Sequence, residues 1–204
     1  MKKYIALLAL LLLLPTVFVS AQSSSEARSV LDRTAKVVGR KGGASANFTM
    51  SNPNTGSVSG TIAIKGNKYK ATTQQAVVWY NGKTQWTYVP RNEEVSITSP
   101  NKAGQMTMNP YAFLYIYRSG YNLSLKKSGN VYEVHLKATQ KKQGIDEAYI
   151  TINKTTSVPS QIKIKQGQQW TTIKVSNFKA KNLSDQLFSF NAKDYPDAEV
   201  IDLR

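Results

Sequence analysis

Val77-Val78-Trp79-Tyr80-Asn81-Gly82-Lys83-Thr84-Gln85-Trp86-Thr87-Tyr88 places two runs rich in β-branched and aromatic residues around Asn81-Gly82. Asn-Gly accepts positive φ at both central turn positions, so the stretch predicts two antiparallel strands joined by a tight hairpin. Upstream, Ala44, Ala46, Phe48 and Met50 alternate with Ser45, Asn47 and Thr49, and Val58, Gly60, Ile62 and Ile64 alternate with polar residues. Gly66-Asn67 then turns the chain back through Tyr69, Ala71 and Thr73, and Val95-Ser96-Ile97 supplies a sixth strand. Downstream, 121–126, 131–138, 145–152, 158–165 and 169–178 are five further strand-like runs, separated by turn residues such as Ser128-Gly129-Asn130 and Gln166-Gly167.

Two segments break the two-residue period. Ala27, Val30, Leu31, Thr34, Val37 and Val38 recur at helical steps over 25–40, with Ser24 or Ser25 as N-cap and Gly39 near the end. Asn109-Pro110 opens a short helix, 109–118, with almost no polar face, so it must lie against apolar surface. The tail closes with Leu187-Phe188-Ser189-Phe190 and a short edge strand within 195–202. Eleven strands in sequence order predict a mainly β fold in meander topology. The expected form is one strongly curved antiparallel sheet making an incomplete barrel, with short helices over its mouth.

Lys2-Lys3, an apolar stretch from Tyr4 to Val19 and the small residues of Val19-Ser20-Ala21 make 1–21 a secretory signal peptide, cleaved after Ala21. Its apolar core is shorter than the roughly 20 residues a membrane span requires. No cysteine follows the cleavage site, so no lipid anchor is expected, and residues 22–204 read as one exported, periplasmic domain. The chain contains no cysteine, which leaves stability to an ordinary core. Removing Lys2 and Lys3 leaves 25 Lys and Arg against 12 Asp and Glu, a net charge of +13 that favours anionic partners.

Catalysis finds few footholds. The single histidine, His135, lies with Glu133 and Lys137 opposite the apolar face of Tyr132, Val134 and Leu136 and therefore points outward. Without cysteine, zinc sites and Cys-His or Ser-His nucleophile systems lack partners. Glu93-Glu94 and Asp146-Glu147 read as solvated charges, and no phosphate loop or other cofactor motif is present. The chain is not expected to be an enzyme. Lysines interleaved with aromatics suit nucleic acid in principle, but export removes that partner.

The excess lies in large apolar side chains: three Trp, eleven Tyr, six Phe and four Met. A sheet of eleven strands encloses more volume than its own side chains fill, so a cavity for an apolar ligand is expected. Its candidate walls are Phe48, Met50, Ile62, Ile64 and Tyr69 on the early strands, Trp79, Trp86 and Tyr88 on the hairpin, and Leu136 and Ile164 on the later strands. Tyr111, Leu114 and Tyr117 would form a lid, with Met108 beside it able to repack around acyl chains of no fixed shape.

Phe48, the run Gly60-Thr61-Ile62-Ala63-Ile64-Lys65, the stretch Val78 to Pro90 with its Asn-Gly-Lys-x-x-Trp-x-Tyr core, and Glu94-Val95 together resemble the outer-membrane lipoprotein carrier protein (LolA) family. Phe188-Ser189-Phe190 and Asp197 to Asp202 are similar to that family's closing segment. The resemblance implies an unclosed eleven-stranded barrel that takes acylated lipoproteins from an inner-membrane release complex to an outer-membrane acceptor. It also implies a transfer cation, often Arg beside Pro; the matching stretch is Lys65-Gly66-Asn67-Lys68-Tyr69, with neither. Lys65 supplies charge there without a planar bidentate fork. The expected protein is a monomeric periplasmic chaperone for lipoprotein acyl chains, the alternative being a lipid- or lipoprotein-sensing regulatory module of the same shape.

Overall fold

The computed structural model describes residues 16–100, 116–140 and 144–204. Helix α1 (Thr16–Val38) is followed by β1 (Ala44–Asn52), β2 (Gly56–Lys65), β3 (Lys68–Thr73), β4 (Val77–Tyr80), β5 (Gln85–Val89) and β6 (Glu94–Thr98). After 101–115 come β7 (Tyr121–Ser128), β8 (Val131–Ala138), β9 (Glu147–Asn153), β10 (Pro159–Gln166) and β11 (Gln169–Ala180). Two 3-10 turns, Asp185–Phe188 and Ala192–Asp194, lead to β12 (Glu199–Asp202). No described helix is long and apolar enough to cross a membrane.

The strands form one curved sheet in the order β12-β6-β5-β4-β3-β2-β1-β11-β10-β9-β8-β7, not closed into a barrel. The topology is therefore two meanders, β1–β6 and β7–β11, rather than one. They are joined where β1 pairs with β11, from Ala44 opposite Ala180 to Ser51 opposite Thr172. A single meander would have placed β6 beside β7, whereas β7 lies at one edge and β6 lies next to the other. The twelfth strand is the tail segment, which runs parallel to β6 with Val200 opposite Val95.

Directly paired residues share a face, so the registers sort the sheet into two sides. The inner side carries Phe48, Ile62, Ala71 and Val78 from the first meander, and Leu123, Val134, Ile150, Ile162 and Ile173 from the second. These residues are buried, and α1 packs over the β7–β8 end of the same side through Ala27, Val30, Leu31 and Val38. The predicted helical stripe is thus the buried one. The helix starts upstream of the expected Ser24 or Ser25 cap, at Thr16, so both serines lie inside it; one residue earlier, the Ser23 hydroxyl accepts from the Leu125 amide on edge strand β7 at 3.1 Å. Of the predicted helix 109–118, residues 109–115 lie outside the described residues. Tyr117 is fully buried, donates to Asp32 on α1 at 2.5 Å, and is pushed above its usual pKa, first by burial.

The Asn81-Gly82 hairpin forms in its predicted place with different geometry. Only Gly82 has positive φ, +101°, while the Asn81 side chain accepts from the amides of Lys83 and Thr84 at 3.0 and 2.9 Å. Asn81 acts through this side-chain turn and not through a left-handed backbone. Gly60 meets a different demand. A Cβ there would lie 2.2 Å from the Thr72 carbonyl oxygen and 3.1 Å from the edge of the Phe48 ring, which lies across it. Gly60→Ala is expected to destabilise the protein by about 1–3 kcal/mol in urea unfolding, as overpacking does. Thr61→Ala, on the exposed side of the same strand, should change stability by less than about 0.5 kcal/mol.

Candidate binding cavity

Among the described residues α1 is the one α-helix, and it does not cover an inner face twelve strands wide. Beyond α1 the inner side of β10, β11 and β1–β5 surrounds a cavity of about 570 Å³. Its floor is Phe48 and Met50 on β1, Val58 on β2, Ala71 and Val78 on β3 and β4, and Ile164 and Ile173 on β10 and β11. One end is rimmed by Asn52, Thr55, Gln75, Gln166 and Thr171, where the Asn52 amide donates to the Thr171 hydroxyl at 3.1 Å. None of the described lining residues is charged, in a chain of strongly basic composition. Uncharged walls with neutral amides and hydroxyls at one end suit an apolar chain that terminates in an ester or amide.

The fourteen residues expected to line a cavity fall into four groups. Phe48, Met50 and Ile164 line it. Ile62, Ile64, Tyr69, Tyr117 and Leu136 are on the inner side but belong to the solid core beside it. There the Tyr69 hydroxyl donates to Gln85 Oε1 at 2.8 Å, and burial pushes its pKa up. Met108, Tyr111 and Leu114 lie outside the described residues. Trp79, Trp86 and Tyr88 are on the outer side, since Trp79 pairs with Lys70 and Trp86 while Val78 and Tyr80 point inward. The run Val77 to Tyr80 is apolar throughout, so alternation could not reveal which pair faces in. Ile173, Val78 and Val58, which sequence reading left out of the lining, sit on strands it had found. What was missing is the β1–β11 register that brings them around one space.

The outer tryptophan belongs to a strap. Trp79 packs edge-on against Phe190 and Tyr195, with ring centres 5.7 and 5.5 Å away, and Tyr88 contacts Tyr195 at 4.5 Å. Lys65, the candidate transfer cation, holds the same tail: its ammonium donates to the Leu183 carbonyl at 2.8 Å and pairs with Asp185 at 3.0 Å, beside Lys68 at 3.2 Å. Lys65 sits on the outer side of the sheet, away from the cavity lining. Among the described residues no three of His, Cys, Asp and Glu come together to hold a metal ion.

The unclosed sheet, the helix laid over part of its inner side and the uncharged cavity beside it define an open-barrel protein with an internal apolar site. Residues 17–168 match the family model described as outer membrane lipoprotein carrier protein LolA, and the chain belongs to that family. No curated protein sequence matches it. Among solved structures it is similar to an uncharacterized conserved protein of Thermus thermophilus, with 14% identity and a TM-score of 0.61 over 87% of this chain and 99% of that one. It also resembles a LolA superfamily protein from Nitrosomonas europaea, with 10% identity and a TM-score of 0.46 over 80% of this chain and 97% of that one.

The paired lysines hold the Asp185 carboxyl below its usual pKa. A depressed carboxyl stabilises the tail above its unfolded value, and that contribution is lost as pH falls through the folded one. Hydrogen exchange, corrected for intrinsic rates, should therefore show residues 185–190 losing protection below about pH 4. In Asp185→Asn the protection should already be reduced at neutral pH, with the acid-dependent loss diminished.

Proposed function

We propose that the inner-face cavity holds an acyl chain of a lipoprotein, and that the protein carries such lipoproteins across the periplasm from the inner to the outer membrane. The observation that supports this best is an uncharged cavity of about 570 Å³ beneath the sheet of a lipoprotein-carrier family member. Three chains of about 15 methylenes, at about 0.8 kcal/mol each, represent roughly 36 kcal/mol of apolar transfer, so unassisted crossing of water is negligibly slow. Full burial of all three would exceed the roughly 20 kcal/mol at which real affinities saturate, and the carrier could not release its cargo.

The cavity resolves this conflict by its size. At about 30 Å³ for each water-sized group it admits roughly 20 methylenes, little more than one chain. Partial burial leaves the hold reversible. The release complex and acceptor of the inner and outer membranes are the partners this reading requires, and its role is binding without a chemical step.

The test is native mass spectrometry, with lipid extraction, of the mature protein purified from its own envelope. Wild type should carry acylated lipoprotein or bind an apolar fluorescent probe, and Ile164→Trp, which fills the cavity from its wall, should weaken probe binding tenfold or more with little change in melting temperature. A wild-type protein that carries no lipid and binds no probe overturns the proposal. Lipid that is bound but never passed to acceptor vesicles would instead indicate a sensor.

A further inference from the structure

The outer side of β7–β11 faces away from the cavity and carries a built pattern of cations and rings. Registers place Lys137, His135 and Lys126 on β7–β8, Glu147 and Tyr149 on β9, Lys163 and Lys165 on β10, and Trp170 and Lys174 on β11 on this one side. His135 stacks on Tyr149 with ring centres 4.3 Å apart, Tyr149 lies 5.9 Å from Trp170, and Lys165 sits 5.8 Å over the Trp170 ring. The acid Glu147 is occupied between His135 at 3.3 Å and Lys165 at 3.7 Å. Lys126, Lys137, Lys163 and Lys174 are exposed and form no ion pair among the described residues. Glu133, opposite Lys126, is the other acid on this side.

We propose that this face docks the protein on an anionic lipid surface. Four unpaired lysines around half-exposed Tyr and Trp rings match the pattern of peripheral membrane contact, in which ammonium groups meet phosphates and amphipathic rings sit at headgroup level. An acidic protein partner fits less well: protein interfaces favour Arg and are depleted of Lys, and the unpaired cations of this patch are all lysines. Docking by the outer side leaves the cavity rim, on the inner side, open to a second macromolecule. The inference stands on the geometry of the outer face and does not require that the cavity bind acyl chains.

Flotation of the purified mature protein with vesicles tests it, comparing phosphatidylcholine alone with phosphatidylcholine containing phosphatidylglycerol. Wild type should bind the anionic vesicles only, and less as salt rises. Each lysine near such a surface contributes about a fivefold change in partitioning, so the quadruple variant Lys126→Gln, Lys137→Gln, Lys163→Gln, Lys174→Gln should bind about 600-fold more weakly. A charge-matched variant with Lys41, Lys83, Lys181 and Lys193 changed to Gln should keep most of the binding, and circular dichroism confirms that both are folded. Equal loss in the two variants would reduce the effect to net charge and overturn the patch. Absence of wild-type binding to anionic vesicles would overturn membrane docking altogether and leave an acidic protein as the occupant to seek.

Discussion

The pairing of β1 with β11 is the constraint on which the rest depends. It joins residues more than a hundred positions apart, Ser51 with Thr172 and Ala44 with Ala180, and so converts two meanders of local hairpins into one sheet. Closing so long a loop is entropically costly and is repaid only when both inner faces are covered together. Phe48 and Met50 on β1 meet Val175 and Ile173 on β11 across this seam, which carries core and cavity alike.

From that seam the inner face extends in both directions, and its two halves have different fates. On the β7–β8 side α1 supplies a complete apolar stripe, and side-chain contacts fix it: Ser23 to the Leu125 amide, Glu26 to Lys127, Asp32 to Tyr117, and Arg28 to the Tyr117 carbonyl. On the other side the described residues leave the cavity between Phe48, Val78 and Ile173. On the outer side of the first meander the C-terminal strap does the covering, which is why Trp79 is buried although it faces away from the core. β12 then pairs with β6 and protects that edge from pairing with another chain.

Much of this was legible in the residues. Eleven strands were readable from two-residue alternation and turn chemistry, the stripe of α1 from its three- and four-residue steps, and the outward direction of His135 from its apolar neighbours. Face assignment failed where the run was apolar throughout: in Val77 to Tyr80 both sides are buried, one by the core and the other by a tail whose contact with it no local pattern announces. The start of α1 was not legible because the helix begins at Thr16, within the apolar stretch that reads as a signal peptide, and runs through Ser24 and Ser25 without a break. For the cavity, single walls such as Phe48 and Ile164 were found, while Ile173 entered only with the long-range register.

The central claim is that acyl chains occupy the inner side of the sheet. Residues 86 and 87 are neighbours in β5 whose side chains lie on opposite sides, Thr87 at the cavity and half-exposed Trp86 on the outer side opposite Trp79. A photo-crosslinking amino acid placed at each position in turn, in protein incubated with a radiolabelled acylated lipoprotein, separates the two directly. Crosslinks to the acyl chain are expected from position 87 and none from position 86; crosslinks from 86 alone would place the ligand on the outer side of the sheet and contradict an inner-face site.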